Sequence, residues 1–238
     1  MIEVQNLYKS FDGFNALNGL CVKVEKGSIY GLMGVNGSGK TTLIKHLTGV
    51  LRQDDGSVRI GGEEVYENEN IKAKCAFIPD ELFFFGNYTL ESMAKFYAGV
   101  YPNWSKERFE KMCADFKLKK NGKISRFSKG MQKQAAFILA MSSCPEYLIM
   151  DEPIDGLDPI IRQKVWNYVV GDVADKQMTV LISSHNADEL EGICDSIGLI
   201  AGGEMKLEGS LDEIKESMNG ITLRELFIKV LGGEEYEA

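Results

Sequence analysis

The sequence is poor in the features that mark several large classes of protein. Its five cysteines, Cys21, Cys75, Cys113, Cys144 and Cys194, are odd in number and scattered, with no close pair. That spacing excludes a disulfide framework and a thiolate zinc site, and predicts small buried side chains in a reducing compartment. No apolar run approaches the roughly 18 residues of a membrane span, and polar residues interrupt the opening MIEVQNLYKSF too early for a secretory leader. The chain is therefore expected in the cytoplasm, with any membrane role reached through a partner. Positive charge is also in short supply, with 27 Lys and Arg against 35 Asp and Glu. That balance argues against a general nucleic-acid surface, so no nucleic-acid partner is expected. A local phosphate site is unaffected by it. Internal repeats and low-complexity segments are missing too.

What is present suits one large domain, or a domain with a sub-domain. Apolar residues make up 44% of 238, enough to build a substantial core. Residues 1–30 alternate as strands do, in IEVQNLY, LCVKVEKG and SIYGLM, and SVRIGGEEV at 57–65 reads as a hairpin around Gly61-Gly62. This front end looks antiparallel. YLIMD (147–151) and TVLISSH (179–185) are short apolar runs ending in polar residues. Such runs suit buried parallel strands whose carboxyl ends face a site. Between about 82 and 127, TLESMAKFYAGVY and SKERFEKMCADFKL have helical spacing and read as a helical insert. The tail, SLDEIKES then TLRELFIKVL, predicts two short amphipathic helices before an acidic EEYEA.

The chemistry concentrates in a few stretches. GVNGSGKTT, Gly34 to Thr42, has the P-loop spacing and lies between the strand SIYGLM and a helix. Around Gly34, Asn36, Gly37, Ser38 and Gly39 the main-chain N–H groups curl about phosphate oxygens, and the helix beginning near Thr42 aims its positive end at the same anion. Lys40 is placed to reach the β- and γ-phosphates, and the Thr41 hydroxyl to ligate Mg²⁺. YLIMDE adds Asp151, which would hold Mg²⁺ through its water shell, and Glu152, which would polarise or deprotonate the attacking water. His185, at the end of TVLISSH, can donate to a γ-phosphate and hold the water in line. The other histidine, His46, reads as an ordinary polar group on the helix after the P-loop. RFSKGMQKQ (126–134) is a helix start: Ser128 can cap it, but Gly130 weakens its first turn by about 1 kcal/mol relative to alanine. Such a start is exposed for a reason other than its own stability.

The order GVNGSGKTT, FSKGMQ, YLIMDEP, GLDP and SSH resembles the nucleotide-binding subunit of an ABC transporter over nearly the whole chain. The stretch TLRELFIKVLGG is also similar to the end of bacterial subunits that serve ABC-2-type exporters. The resemblance implies an α/β P-loop NTPase (RecA-like) core with an antiparallel β front sheet and an inserted α-helical sub-domain. On that plan 1–238 form one domain: a catalytic core over 1–79 and 134–210, a helical sub-domain over 80–133, and a helical tail over 211–238. It further implies an ATPase using ATP and Mg²⁺, working as a head-to-tail dimer with an identical or paralogous subunit. The dimer would drive a separate integral membrane permease from the inner face of the cell membrane, with export the implied direction. Ser128 and Gly130 of one chain would cap the γ-phosphate held by the other. Phe11 would stack on adenine, and Asp158 would couple the two sites.

The chain departs from the family pattern in three places. Lys129 replaces a signature glycine, Ile154 replaces a small polar residue, and Asp80 or Glu81 stands where a glutamine is usual. Asp80 is expected to take over the glutamine's contact with metal and water. In LFFFGNY (82–88), Phe83, Phe84 and Phe85 are either sub-domain core or anchors in a groove that receives a helix of the permease. Tyr101 and Trp104 are further candidates for that groove. Three rivals remain: a soluble ABC ATPase such as an iron–sulfur assembly subunit, a small-molecule P-loop kinase, and a binding-only subunit. A kinase leaves FSKGM unexplained, and the presence of Lys40, Asp151, Glu152 and His185 opposes a decayed ATPase.

Overall fold

The computed structural model describes residues 1–217 and 222–231. Of the expected tail, residues 218–221 and the acidic end at 232–238 lie outside the described residues. The alternation at the front forms β1 (Ile2–Phe11) and β2 (Phe14–Val24), an antiparallel pair closed by Asp12-Gly13. Both turn residues have positive φ, 48° and 84°, as a tight right-twisted hairpin needs. On the other side β1 pairs with β4 (Asp55–Ile60), which turns at Gly61-Gly62 into the short β5 (Glu63–Glu64). The sheet order is β2-β1-β4-β5.

A second sheet holds β3 (Ile29–Met33), β6 (Cys75–Ile78), β7 (Tyr147–Asp151), β8 (Thr179–Ser184), β9 (Ser196–Ala201) and β10 (Glu204–Ser210). Its order is β10-β9-β3-β8-β7-β6, with β9 through β6 parallel and β10 antiparallel at the edge. Every residue of β3, β7 and β8 is buried, because both faces are covered. Period-two alternation divides them between two cores. Tyr30, Leu32, Ile149 and Leu181 face α1 (Lys40–Leu47), whose Leu43, Ile44 and Leu47 also meet Ile2 and Val22 of the front sheet. Ile29, Met33, Leu148, Met150, Val180 and Ile182 face the opposite core. Each such aliphatic side chain contributes roughly 1.5–3 kcal/mol on burial.

That second core carries α5 (Lys129–Ser142) and α6 (Pro159–Lys176). It also takes in α3 (Leu90–Val100) and α4 (Lys106–Asp115) of the expected insert, while α2 (Glu69–Lys72) is one turn before β6. Each insert helix begins on a hydroxyl cap: Thr89 accepts from Ser92 N–H and Ser105 from Arg108 N–H, both at 3.1 Å. Pro102 follows α3 and cannot continue it. Residues 133 and 134 both lie inside α5, which runs from an exposed start into the buried core. Arg108 of α4 pairs with Asp172 of α6 at 2.5 Å, tying insert to core. After β8 come α7 (Ala187–Glu191) and, beyond β10, α8 (Leu211–Ser217) and α9 (Leu223–Leu231). Leu223 is buried against the same core. Among the described residues no helix is long and apolar enough to cross a membrane.

All five cysteines are free. Cys113 and Cys194 are buried as expected, but Cys21 is exposed, since it lies on the outward-facing register of β2 between buried Leu20 and Val22. Burial pushes the Cys75 thiol up to about 12 and that of Cys113 up to about 11, so neither is a thiolate at neutral pH.

Candidate functional site: a cleft at the strand ends

The sheet order sets β8 between β3 and β7, so their carboxyl ends open on one place. The loop after β3 curls back into α1. A Cβ on Gly34 would come within 2.4 Å of Ser38 Oγ and 2.6 Å of the Ile200 carbonyl oxygen, so only glycine lets the loop close there. Gly39 precedes the helix at φ 112°.

Asp151 ends β7 and is 3% exposed. Thr41 Oγ1 donates to its Oδ2 at 2.9 Å, and Ser183 Oγ of β8 donates to its Oδ1. A hydroxyl and a carboxylate, both hard oxygen donors, are thus joined at the loop's helix start. Among the described residues no three carboxylate, imidazole or thiol groups gather into a metal cluster. The donor set fits a cation that takes its remaining ligands from phosphates and water, which is the habit of Mg²⁺.

Lys40 Nζ donates to the Gly34 and Val35 carbonyl oxygens at 2.6 and 3.3 Å and lies 3.9 Å from Glu152 Oε1. Burial lowers the Lys40 ammonium, against the pull of Glu152 and Asp151. Glu152 Oε2 lies 2.9 Å from His185 Nδ1. Burial raises the Glu152 carboxyl from its ordinary value, and His185 and Lys40 pull it partly back. A carboxylate tuned upward is the stronger base. Its backbone is unusual as well, at φ 46° for a residue with a Cβ. Ser183 holds its N–H through the carbonyl oxygen and the hydroxyl, at 3.3 and 3.1 Å, and Lys133 Nζ donates to its carbonyl oxygen at 2.9 Å.

One cleft of about 350 Å³ is lined by Phe11, Asn36, Gly37, Ser38, Gly39, Lys40, Thr41, Thr42, Asp80, Asp151 and Glu152. Gly34 lies beneath it, and His185 joins it through Glu152. The residues read from the sequence as phosphate-, metal- and water-handling therefore converge. Ser128 and Gly130 do not line this cleft. Gly130 faces a second cleft of about 590 Å³ with Asp80, Lys133 and Asp155. Ser128 is exposed and its Oγ accepts from Met131 N–H at 3.3 Å. Asp158 caps α6, its Oδ1 accepting from Ile160 and Ile161 N–H at 3.1 Å. Ile154 is buried in the second core, where it anchors the loop after Glu152.

Three neighbours escaped the sequence reading. Phe14 pairs directly with Phe11 across the hairpin, so both rings lie on one face at the apolar end of the cleft. The FDGF pattern, two aromatics about a tight turn, was the available signal. Ser183 had a weak one, as the first polar residue of SSH. Lys133 had none. Around the insert, Phe84 is half-buried against the core, Tyr101 stacks on Tyr97, and Trp104 meets Tyr97 at a tilt of 57°. Phe83, 79% exposed, and Phe85 lie on the surface.

A glycine loop between strand and helix, beside a buried Asp at the end of a nearby parallel strand, defines the P-loop nucleotide-hydrolysing class. The profile of the ABC transporter family matches residues 17–155. The chain is 34% identical over 221 residues to the bacitracin transport ATP-binding protein BcrA of Enterococcus faecalis, covering 90% of this chain and 70% of that one. It is 30% identical over 216 residues to the ABC transporter ATP-binding protein YtrB of Bacillus subtilis, covering 91% and 74%. A solved ATP-binding subunit of an ABC transporter superposes with a TM-score of 0.90 at 28% identity, over 97% and 99% of the two chains. The chain belongs to the ABC transporter family, as an ATP-binding subunit whose hydrolysis of ATP drives transport.

Proposed function

We propose that the chain is one half of an ATP-gated motor whose catalytic sites are completed by a second ATPase subunit, identical or paralogous. The observation that carries this is a division of labour within one chain. Lys40, Thr41, Asp151 and Glu152 share a cleft, while the capped start of α5 offers Ser128 and Gly130 elsewhere. Ser128 spends an oxygen lone pair on its own helix cap, which leaves its proton free to donate to a phosphate. The N-terminus of α5 adds positive potential, and each charge-assisted hydrogen bond is worth about 1.5–3 kcal/mol.

ATP would lie with its base against Phe11 and its phosphates in the loop from Gly34 to Thr42. Lys40 would exchange the Gly34 carbonyl for phosphate oxygens. Thr41 and Asp151 would hold Mg²⁺, which when bound neutralises charge on the β- and γ-phosphates. Glu152 would take the proton of the attacking water, with His185 fixing its carboxylate. Asp80 lies at the lip of the cleft, and Asp158 supports the loop that would face the second subunit. The division into a core (1–79 and 134–210), a helical insert (80–133) and a helical tail (211–238) fits this plan, with α5 shared between core and insert.

The partner beyond the dimer would be an integral membrane permease, placing the subunit on the inner face of the cell membrane. Support comes from the exposed Phe83 and Phe85 and from the kinship with transporter subunits such as BcrA, a bacitracin transport protein. That kinship also favours export. Replacing Glu152 by Gln tests the reading. The variant should bind ATP, lose about 10²–10⁴-fold in turnover and accumulate as an ATP-dependent dimer by size exclusion. A variant that hydrolyses ATP like the parent would remove Glu152 from its role. Extraction of the tagged variant from native membranes should bring down a multi-span protein. Recovery with soluble partners alone would favour a soluble ABC ATPase.

A further inference from the structure

We infer that Lys133 is a positioning residue that aims the Glu152 carboxylate, and that Asp80 acts by pairing with Lys133. This rests on Glu152 being the catalytic carboxylate.

The juxtaposition is specific. Lys133 Nζ lies 2.9 Å from the Glu152 carbonyl oxygen and 3.6 Å from Asp80 Oδ1. Its side chain is 14% exposed, against 55% for Asp80. An ammonium so nearly buried needs acceptors for its N–H groups, and these two supply them. Glu152 needs the bond as much as Lys133 does. At φ 46° its backbone sits in a region that costs a Cβ-bearing residue about 1–3 kcal/mol, and such a conformation persists only when its neighbours hold it. Ser183 fixes the peptide before Glu152 and Lys133 fixes the peptide after it. With both ends held, the Cα–Cβ bond of Glu152 is fixed, and from there the carboxylate reaches His185 and Lys40.

Lys133 stands on α5, one turn beyond Gly130. The helix start that would meet the second subunit is therefore tied to the aim of the water-activating carboxylate by one side chain. Asp80, two residues beyond β6, faces both clefts and completes the tie on its exposed side. The acid at position 80 is balanced by the cation at 133. A neutral side chain at 80 would take the counter-charge from that contact. The pairing gives Asp80 a role that does not require it to touch the metal.

The experiment compares Lys133→Met, Lys133→Arg and Asp80→Asn in the full chain, using ATPase kinetics and equilibrium binding of a fluorescent ATP analogue with and without Mg²⁺. Loss of aim costs turnover, so Lys133→Met should lower kcat by about 10- to 100-fold. KM, the binding constant of the analogue and the Mg²⁺ concentration for half-maximal binding should stay at parental values. Lys133→Arg, which keeps a donor on a stem of similar length, should recover most of the loss. Asp80→Asn should lower kcat less than Lys133→Met and leave Mg²⁺ half-saturation unchanged. Parental kcat in Lys133→Met would overturn the inference, and so would equal damage to kcat and KM. A rise in Mg²⁺ half-saturation in Asp80→Asn would make Asp80 a metal ligand and also overturn it. Should Lys133→Met fail to fold, the Arg and Asn variants decide by the same readings. Glu152→Gln, run in parallel, separates the outcomes: normal turnover there would mean that the underlying assignment of Glu152 has failed.

Discussion

His46 sits on α1, one turn after Thr42, and is 2% exposed. Its Nδ1 lies 2.7 Å from the Thr42 carbonyl oxygen, an acceptor that calls for the proton on that nitrogen. Burial pushes its pKa down from 6.5, and Lys9 adds to this, while the Thr42 and Arg52 main chain and Asp54 oppose it. A histidine lowered on folding stabilises the native state while both states are neutral. Stability then falls as pH drops below the unfolded value near 6.5 and continues to fall to the lower folded value. The urea midpoint of the parent should accordingly drop on going from pH 7.5 to 5.5, and that of His46→Gln should drop less. Equal declines in the two proteins would mean that His46 keeps an ordinary pKa. The sequence offered two histidines, and spacing alone separated them. His185 ends a strand beside Glu152, whereas His46 is held in the packing of the helix behind the phosphate loop.

At the scale of the element, the start of α5 answers the oddity of a glycine in a first helical turn. A Cβ on Gly130 would find the Gly156 carbonyl oxygen at 3.6 Å and Leu157 Cδ2 at 3.8 Å, which is ordinary contact. The fold therefore does not require glycine there. Gly130→Ala should fold and gain up to about 1 kcal/mol of helix stability. If the bare N–H is needed by a phosphate on another subunit, the same variant should lose ATP-dependent dimerisation in the Glu152→Gln background. A more stable protein with weaker dimerisation would separate the two roles. Unchanged dimerisation would leave Gly130 without one. This element was legible because its signals are local: Ser128 caps, Gly130 breaks the propensity rule, and AAFILAM is apolar on all sides. Thr89, Ser105 and Asp158 cap their helices in the same way. Other features depend on strands brought together from distant parts of the chain. The insertion of β3 between β8 and β9, the left-handed backbone of Glu152 and the reach of Lys133 to Asp80 have no local pattern. Phe14 lies between these cases, since it was visible beside Phe11 but meaningful only once the hairpin was seen to lean over the phosphate loop.

On the scale of the whole molecule, the question is how events in the cleft reach another chain. Phe85 packs against Tyr88 and Phe96 at ring separations of 4.8 and 5.6 Å, and Phe83 meets Phe85 edge-on at 5.9 Å. Phe83, Phe85, Tyr88, Phe96 and Val100 are all exposed, so one apolar strip runs from the segment after β6 along α3. The strip begins three residues after Asp80, which is paired to Lys133 and through it to Glu152. A permease segment resting on Phe83 and Phe85 would thus press on the line of contacts that ends at Glu152. Buried aromatics are the residues that carry most interface energy, and losing such an anchor costs at least about 2 kcal/mol, or roughly 30-fold in affinity. Phe83→Ser combined with Phe85→Ser should therefore keep the parental melting temperature and ATP binding while the chain no longer brings its membrane partner out of native membranes. Phe84→Ser supplies the contrast: its ring packs on the core, so that change should lower the melting temperature first. Should the double variant still recover the membrane partner at parental yield, the strip is not the docking surface. Coupling between permease and cleft would then have to enter through another face of the helical insert.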